Sequence, residues 1–357
     1  MLVASSRSWN GIPDMVANTR DVVSKLLCVC IALAPIGLAG LAEAKSVLTR
    51  LPLNTQATAI NDSGVVVGQS VGTAFVRTPD GNMTNFAING ANVITPTGIN
   101  ASGVVTGSYE DANRVMHGFV RDATGAITTF DAPNACLTSH NGTWPTGINA
   151  GGVVTGYYYT SAGQTCLAHG FVRAVDGTIT SFDVLNAFQT LALGENDKGE
   201  IVGEWFGTAC DRCAFVRSPE GKITTFKVPG AYNTFAFAIN GKGVVTGYYQ
   251  DGYPDYTPHG FIWQRDGQYT TFDLPNVQAG GATYSFAIND NGTVAGTGSG
   301  NSKNQESPAF VRHRSGHMRM FGLPKSAFYP FGINNSGVVV GYQMLPNASE
   351  YGFIWTP

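Results

Sequence analysis

Residues 235–275 have the sequence FAFAINGKGVVTGYYQDGYPDYTPHGFIWQRDGQYTTFDLP, and this stretch predicts four short strands. We place the strands at Phe235–Ile239, Val244–Tyr249, His259–Trp263 and Tyr269–Leu274. Short runs of β-branched and aromatic residues bounded by Gly, Asn and Asp are typical of strands joined by tight turns. No part of the stretch has the 3.6-residue period of a helix, so we expect an all-β unit.

Copies of this unit fill the rest of the chain. The Asn of its first turn recurs seven times, at Asn61, Asn100, Asn149, Asn196, Asn240, Asn289 and Asn334. The spacings between these residues are 39, 49, 47, 44, 49 and 45. The third strand recurs as AFVR, HGFVR, HGFIW or YGFIW in every copy, whereas a fourth strand follows it in only six copies. The chain therefore ends one strand short.

The missing strand is found at the start of the array. Residues 47–53, VLTRLPL, resemble a fourth strand and precede the first repeat. A closed ring explains this permutation, because the N-terminal strand then completes the last unit and removes two sheet edges. Four-stranded units of roughly 40–50 residues in a ring are β-propellers. We predict a seven-bladed propeller in which 47–53 pairs with 351–355; an open β-solenoid is the alternative.

The first 44 residues differ from the repeats. Arg20 and Lys25 precede the apolar run 26–41, and Ala42-Glu43-Ala44 follows it. A basic segment, an apolar segment and an A-x-A site are typical of a cleaved secretory signal peptide. A signal peptide that starts at Met15 would be better proportioned. The apolar run is shorter than the roughly 20 residues of a membrane span. We predict a signal peptide at 1–44, one propeller domain at 45–357, a secreted or periplasmic location, and no membrane span in the mature chain.

The overall charge excludes one class of partner. The net charge is -3, and only 13% of the residues are charged. A nucleic-acid-binding protein needs a basic surface to neutralise phosphates, so we expect no nucleic-acid partner. The sequence has no phosphate-binding loop, no dinucleotide fingerprint and no HExxH motif. We predict a monomer without a cofactor.

Three recurring residues have structural interpretations. The Gly inside the second strand, such as Gly68, is expected where an aromatic ring of a neighbouring blade comes close, such as the third-strand Phe. The Asn of the first turn is expected to bond the backbone of its own turn. The Arg that ends most third strands, such as Arg217, is expected on a solvated face with its stem stacked.

The repeat resembles a known family. The pattern IN-x-x-G-x-V-x-G followed by [H/Y]-G-F-[V/I]-[R/W] is similar to the HAF repeat of bacterial extracellular proteins, over residues 56–357. The middle Ala of that motif is Gly here in the copies with His or Tyr, and three copies keep only AFVR. The resemblance implies an extracellular or periplasmic propeller-like protein with no established activity, and it implies no catalytic residues.

The loops between strands two and three and between blades are expected on one face. They vary in length far more than the tight turns, so this loop face is the predicted site of function. Aromatic residues beside Asp and Asn are suited to stacking on sugars or binding a protein. The predicted ligand-binding residues on or near this face are Trp144, Tyr158, Glu195, Glu204, Trp205, Asp211, Tyr249 and Tyr253.

Cysteine and histidine residues have their own predictions. In an exported chain Cys136, Cys166, Cys210 and Cys213 suggest disulfides, and we expect Cys136–Cys166 and Cys210–Cys213. A redox CxxC motif and a four-Cys zinc site are weaker alternatives. His117, His169 and His259 begin third strands in separate blades, so we predict strand packing and no metal site.

Blade 4 departs from the repeat. Glu195 replaces the Ile of every other copy, and Glu204 and Trp205 follow on the next strand. A buried carboxylate is costly unless it is paired, and such departures often indicate function. Three functions remain open: a binding or scaffold module for a glycan or an extracellular protein, a carbohydrate-active hydrolase or lyase, and a structural envelope or matrix protein. The hydrolase would need Glu195 or Glu204 near Asp111, Asp211 or Asp251.

Overall fold

The computed structural model describes residues 46–163, 165–275, 281–299 and 307–357. Within these ranges the chain forms 28 strands in seven four-stranded antiparallel sheets, and each sheet is one blade of a β-propeller. The predicted fold class is therefore confirmed. The predicted signal peptide at 1–44 lies outside the described residues. In the described part of the chain, no helix is long and apolar enough to cross a membrane.

Six blades follow chain order from the innermost strand to the outermost. Blades 1 to 3 consist of β2 (Thr55–Ile60), β3 (Val66–Ser70), β4 (Thr73–Arg77), β5 (Met83–Phe86); β6 (Val93–Ile99), β7 (Val105–Glu110), β8 (Met116–Arg121), β9 (Ile127–Phe130); and β10 (Thr143–Ile148), β11 (Val154–Ala162), β12 (Thr165–Arg173), β13 (Ile179–Phe182). Blades 4 to 6 consist of β14 (Ala187–Glu195), β15 (Ile201–Gly207), β16 (Cys210–Arg217), β17 (Ile223–Phe226); β18 (Asn233–Ile239), β19 (Val245–Gln250), β20 (Pro258–Trp263), β21 (Tyr269–Phe272); and β22 (Thr283–Ile288), β23 (Val294–Gly298), β24 (Ala309–Arg312), β25 (Met318–Phe321).

Blade 7 combines the two ends of the array. Its strands are β26 (Ala327–Ile333), β27 (Val339–Met344), β28 (Glu350–Thr356) and β1 (Val47–Leu53), in that spatial order. The pairing of β1 with β28 is antiparallel and runs from Val47 opposite Thr356 to Leu53 opposite Tyr351. The predicted ring closure is thus confirmed. Without β1, β28 would be an unprotected sheet edge.

The innermost strands of the seven blades contact one another in sequence and form a closed ring, β2 to β26 and back to β2. The turn Asn residues connect this ring. Six of the seven donate from Nδ2 to the backbone carbonyl of the Asn in the next blade, at 2.9–3.2 Å: Asn61, Asn100, Asn196, Asn240, Asn289 and Asn334. The predicted local role is also present, because Asn240 Oδ1 accepts from the backbone N–H of Val244 at 3.0 Å. We call the interblade bond the Asn clasp.

The recurring glycine of the second strand is explained within its own blade. A Cβ atom on Gly68 would collide with the backbone carbonyl of Gln56 and lie 2.6 Å from the ring of Phe75. Phe75 is the third-strand Phe of the same blade and is fully buried. The expectation of an aromatic ring from a neighbouring blade is therefore wrong. In six blades the ring of the blade's own third strand lies against the glycine, and in blade 5 the backbone of Phe235 is nearest, so no space is left for a side chain.

The Arg residues that end the third strands pack between blades. The guanidinium of Arg217 lies 4.8 Å from the ring centre of Phe182 in the preceding blade. Trp263 occupies the same repeat position in blade 5 and stacks on Phe226 at 4.6 Å. Arg173 is only 9% exposed. The prediction of stacking is correct, but the prediction of a solvated face is wrong at Arg173 and Arg312, because a ring of the preceding blade covers each of them.

Candidate functional site

The predicted site residues lie at different depths. Trp205 is buried among Val184, Cys213 and Phe215, and its indole Nε1 has no hydrogen-bond partner. Tyr158 is also buried, and its hydroxyl forms a 2.7 Å hydrogen bond with Ser181. Neither ring is available at the surface, which corrects the prediction for both. Each side chain points to the packed side of its sheet, because alternate residues of a strand face opposite sides.

Both predicted disulfides are present. Cys136 joins the connection into blade 3 to β12 through Cys166, and Cys210 bonds Cys213 at the start of β16. The second disulfide braces the hairpin between β15 and β16, where Gly207 pairs with Cys210. We call residues 207–213 the blade 4 hairpin. It presents Asp211 and Arg212 in two different environments.

Asp211 contacts a group of exposed tyrosines. Its carboxylate accepts a hydrogen bond from the hydroxyl of Tyr232 at 3.2 Å. Tyr232 packs edge-to-face against Tyr256 at 5.2 Å, and Tyr256 packs in the same manner against Tyr253 at 6.4 Å. Tyr253 is 85% exposed. We call Asp211, Tyr232, Tyr253 and Tyr256 the tyrosine patch; it includes two predicted residues, Asp211 and Tyr253.

The loop that presents Tyr253 is held at several points. Tyr256 has a φ of 46°, a left-handed conformation that costs roughly 1–3 kcal/mol for a residue other than glycine. The backbone of Asp251 donates to the carbonyl of Thr257 at 3.2 Å. The side chain of Asp251 is 2.9 Å from His259 Nε2. Such strain persists only where the surroundings impose it, and it is common at ligand sites.

His259 connects this loop to the edge of its blade. Its Nδ1 is 2.7 Å from Asp273, and its ring stacks on the predicted residue Tyr249 at 5.1 Å. Burial lowers the pKa of His259, but the hydrogen bonds to Asp273 and Asp251 outweigh it and hold the pKa above its ordinary value. Tyr249 therefore packs against His259, and His259 in turn contacts Asp251 in the loop that presents Tyr253.

The same link recurs in two other blades. His117 contacts Asp131 at 2.9 Å, and His169 contacts Asp183 at 2.8 Å. Each His is followed 14 residues later by an Asp directly after the fourth-strand Phe, whereas repeats with AFVR have Ala, Lys or Gly there. This pairing was readable from the sequence, although only strand packing was predicted. In the described residues no group of three His, Cys, Asp or Glu side chains is arranged to hold a metal.

Glu204 forms a buried ion pair with the other residue of the hairpin. Arg212 Nη1 donates to both oxygens of the Glu204 carboxylate, at 3.1 and 3.3 Å. Glu204 is 6% exposed. Burial raises the pKa of Glu204 above its usual range, and Arg212 partly opposes this shift.

Aromatic residues surround the Glu204–Arg212 pair. The guanidinium of Arg212 lies 4.2 Å from the ring centre of Phe206 and 5.4 Å from that of Phe235. The predicted residue Trp144 stacks on Tyr157 at 6.1 Å in blade 3. Burial raises the pKa of Tyr157, and the nearby Tyr159 hydroxyl and Glu204 carboxylate raise it further. The pair therefore faces ring-lined walls from blades 3 and 5.

Glu195 lies at the other end of blade 4. Its side chain packs against Gly147 of blade 3, and its Oε1 atom is buried without a hydrogen-bond partner. Burial raises the pKa of Glu195 well above its usual range. Six of the seven described seams between blades have an Asn clasp. At the remaining seam, between blades 3 and 4, Asn149 forms no such bond to a described residue. Glu195 thus brings a buried carboxyl group with one unpaired oxygen into an interblade contact.

The carboxylates that a hydrolase would need have different partners. Glu204 contacts Arg212, Asp211 contacts Tyr232, and Asp251 contacts His259. Glu195 pairs with Ile201 at one end of the β14–β15 ladder, whereas Glu204 pairs with Leu191 further along it. Among the described residues, no hydrogen bond joins two of these carboxylates.

Two shallow grooves lie on the opposite, tight-turn face. One of about 680 Å³ is lined by residues of blades 1 and 2, including Asp80 and Arg121. The other, of about 240 Å³, is lined by residues of blades 6 and 7, including His313 and Asn335. Neither groove includes a predicted site residue.

Comparison with solved structures supports the propeller fold. Virginiamycin B lyase from Staphylococcus aureus has a TM-score of 0.58 at 13% identity, with 87% of this chain and 99% of that chain covered. The propeller domain of the Trilobed protease from Pyrococcus furiosus has a TM-score of 0.56 at 10% identity, with 85% and 95% covered. Puromycin hydrolase has a TM-score of 0.57 at 13% identity, with 84% and 51% covered.

These similarities are informative about architecture alone, because the identities are so low. The protease domain is described as having an open velcro topology. In the present chain β1 instead pairs with β28. No protein-family model matches the chain. No curated protein matches it.

Proposed function

We propose that this protein is an exported binding module that binds glycans through the tyrosine patch. The observation that supports this most is the exposure of Tyr253, whose ring is presented to solvent by a strained, pinned loop. Tyrosine rings have apolar faces on which sugar C–H groups stack, and their hydroxyl groups stay hydrated. Asp211 supplies a hydrogen-bond acceptor for sugar hydroxyls at the edge of the patch.

A protein ligand is the second candidate, and one observation favours it. Leu185, on the connection into blade 4, and Phe188, at the start of β14, are 84% and 57% exposed. Exposed aliphatic and aromatic residues of this kind are frequent in protein interfaces. The rings of the tyrosine patch carry hydroxyl groups beside Asp211, so we assign the glycan to this patch. A protein ligand would instead use the surface around Leu185 and Phe188.

Export is part of the same proposal. Two disulfides are typical of proteins that fold in oxidising compartments. Together with the Sec-type signal sequence expected at 1–44, they support a secreted or periplasmic location. Membership of the HAF-repeat group is proposed on the repeat pattern alone. The hydrolase or lyase is the weaker alternative, because Glu204, Asp211 and Asp251 are each bonded to a group other than a carboxylate.

A glycan array with matched variants tests the proposal. We expect the protein to bind one class of glycan, and Tyr253→Ala to weaken that binding roughly two- to tenfold, as expected for the loss of one stacking ring. Phe188→Ala is the control, because Phe188 is also an exposed ring of the loop face but lies outside the patch. The proposal is wrong if no glycan binds, or if Phe188→Ala weakens binding and Tyr253→Ala does not.

A further inference from the structure

The Glu204–Arg212 pair belongs to a layer of side chains that repeats around the propeller. Glu204 is the residue after the second-strand glycine, and it pairs with Leu191 of the innermost strand. Tyr248 has the same position in blade 5 and stacks on Phe235 at 4.5 Å. Tyr342 has it in blade 7 and stacks on Tyr329 at 4.8 Å. This layer therefore lies against the innermost strands, which line the centre of the ring, at their loop-face end.

The wall of this central region is aromatic on most sides. Tyr248 also contacts Tyr284 of blade 6 at 4.9 Å, and Phe237 of blade 5 contacts Phe286 of blade 6 at 5.7 Å. These rings are partly exposed, so they border solvent rather than a filled core. Blade 4 contributes a cation to this layer, the guanidinium group of Arg212. A ring-lined space with a few fixed polar groups is typical of small-molecule sites.

One edge of the Arg212 guanidinium is unused. Both hydrogen bonds to Glu204 come from Nη1. Within the described residues, Nε and Nη2 have no protein acceptor, and neither is among the buried polar atoms without a partner. The side chain is 26% exposed. The Nε–Nη2 edge is the edge with which arginine binds a carboxylate through two parallel hydrogen bonds.

Unused hydroxyl donors lie near the Glu204 carboxylate. Tyr157, Tyr159 and Tyr248 have no hydrogen-bond partner among the described residues. Burial raises the pKa of Tyr159 and Tyr248, and the Glu204 carboxylate raises both further, so these hydroxyl groups stay protonated. The indole Nε1 of Trp144 is buried and also lacks an acceptor. The unpartnered tyrosine groups around Glu204 are thus donors, whereas both oxygens of the Glu204 carboxylate are bonded to Arg212.

We propose that this space is a second binding site, which takes a small monocarboxylate with a ring-shaped body. The carboxylate binds the Nε–Nη2 edge of Arg212, and the ring lies between the aromatic walls of blades 3 and 5. A single negative charge suits the site best, because Glu204 already neutralises part of the guanidinium charge. The site is separate from the tyrosine patch, since Asp211 points to Tyr232 and Arg212 points to Glu204.

Matched pairs of ligands test the charge requirement. Isothermal titration calorimetry of the full chain uses glucuronate against glucose and benzoate against benzyl alcohol. We expect at least one carboxylate to bind about tenfold or more tightly than its neutral counterpart, because a charged bidentate pair is lost in the neutral ligand. Equal affinity within both pairs, or no binding by either carboxylate, contradicts the proposal. The glycan array with Tyr253→Ala is a separate experiment, so the two sites can fail independently.

Three variants locate the site. Arg212→Lys keeps a positive charge opposite Glu204 but removes the Nε–Nη2 edge, so carboxylate affinity should fall about tenfold. Glu204→Gln frees the guanidinium charge and should raise carboxylate affinity. Arg265→Lys is the control, because Arg265 pairs with the buried Glu200 on the tight-turn face. Unchanged affinity in Arg212→Lys contradicts the proposal; if that variant does not fold, a fall in affinity in Glu204→Gln contradicts it.

Discussion

The side-chain amide of Asn334 donates a hydrogen bond of 3.2 Å to the backbone carbonyl of Asn61, which lies 273 residues earlier in the chain. The same atom pair connects neighbouring blades at five other seams. Because Asn334 belongs to blade 7 and Asn61 to blade 1, this clasp closes the ring at its centre. The pairing of β1 with β28 closes blade 7 at its outer edge. The ends of the array are thus joined twice, by different strands.

The Asn clasp is expected to have a measurable effect on stability. Asn240→Ala removes the clasp to Asn289 at 2.9 Å and the local turn bonds. Asn149→Ala removes only a local bond of the same kind, to the backbone of Val153. We expect Asn240→Ala to lower the free energy of unfolding by about 1 kcal/mol more than Asn149→Ala. Thermal unfolding should show a difference of roughly 2–4 °C; equal melting temperatures would show that the clasp contributes nothing.

Arg and Trp should be interchangeable where a third strand ends. Arg217 lies on Phe182 as Trp263 lies on Phe226. We therefore expect Arg217→Trp to change the free energy of unfolding by less than about 1 kcal/mol. Arg217→Ala removes the stacked stem and the cation–π contact, and should cost roughly 1–2 kcal/mol. Urea denaturation of both variants checks this, and a Trp variant less stable than the Ala variant would contradict it.

Replacement of Glu195 should stabilise the fold. Burial raises its pKa in the folded protein, so the folded state favours the protonated acid. The contribution of Glu195 is fully present below its ordinary pKa and is lost as the pH rises through the raised folded value. Glu195→Ile restores the residue of the other six repeats and removes that loss. We expect its advantage over the native chain in chemical denaturation to increase with pH.

A matched control sharpens this test. Glu195→Gln keeps the shape of the side chain and removes its charge. Its free energy of unfolding should therefore depend less on pH than that of the native chain, as for Glu195→Ile. Glu220→Gln is the comparison at an exposed carboxylate on the tight-turn face, where the pKa is lowered by a hydrogen bond from Ser218. If stability varies with pH equally in the native chain and in both Glu195 variants, Glu195 has no part in it.

The loop of Tyr253 should respond to the protonation of His259. The raised pKa of His259 means that its charged form stabilises the folded state below its ordinary pKa, and that this contribution disappears as the pH rises through the folded value. Asp251→Asn removes one acceptor and should lower the pKa of His259 measured by NMR titration. Asp183→Asn removes the acceptor of His169 in blade 3, and should leave the pKa of His259 unchanged. A His259 pKa that changes in Asp183→Asn but not in Asp251→Asn would contradict the proposed link between His259 and the loop.

Much of the architecture was predictable because the repeat has a strict order. The strand types, the seven copies and the fourth-strand character of 47–53 together specify a closed ring. The orientation of single rings was harder to predict. Tyr157 and Tyr158 are adjacent and similar, yet Tyr158 is buried against Ser181 while Tyr157 stacks on Trp144, and this depends on the face that each blade presents to its neighbour.

The candidate site depends on contacts between blades, which have no local signal. Asp211 belongs to the blade 4 hairpin, Tyr232 lies 21 residues later on the connection into blade 5, and Tyr256 comes from the loop between β19 and β20. Arg212 was not among the predicted residues, although it is the partner of the predicted Glu204. Its signal was its position between the two cysteines of the hairpin that follows Glu204.

A crystal structure of the protein with the best-bound glycan of the array would locate the binding site. We expect a sugar ring stacked on Tyr253 or Tyr256, with a hydroxyl group within hydrogen-bond distance of Asp211. A sugar bound in one of the tight-turn grooves, or at Leu185 and Phe188 with the tyrosine patch empty, would show that the tyrosine patch is not the glycan site.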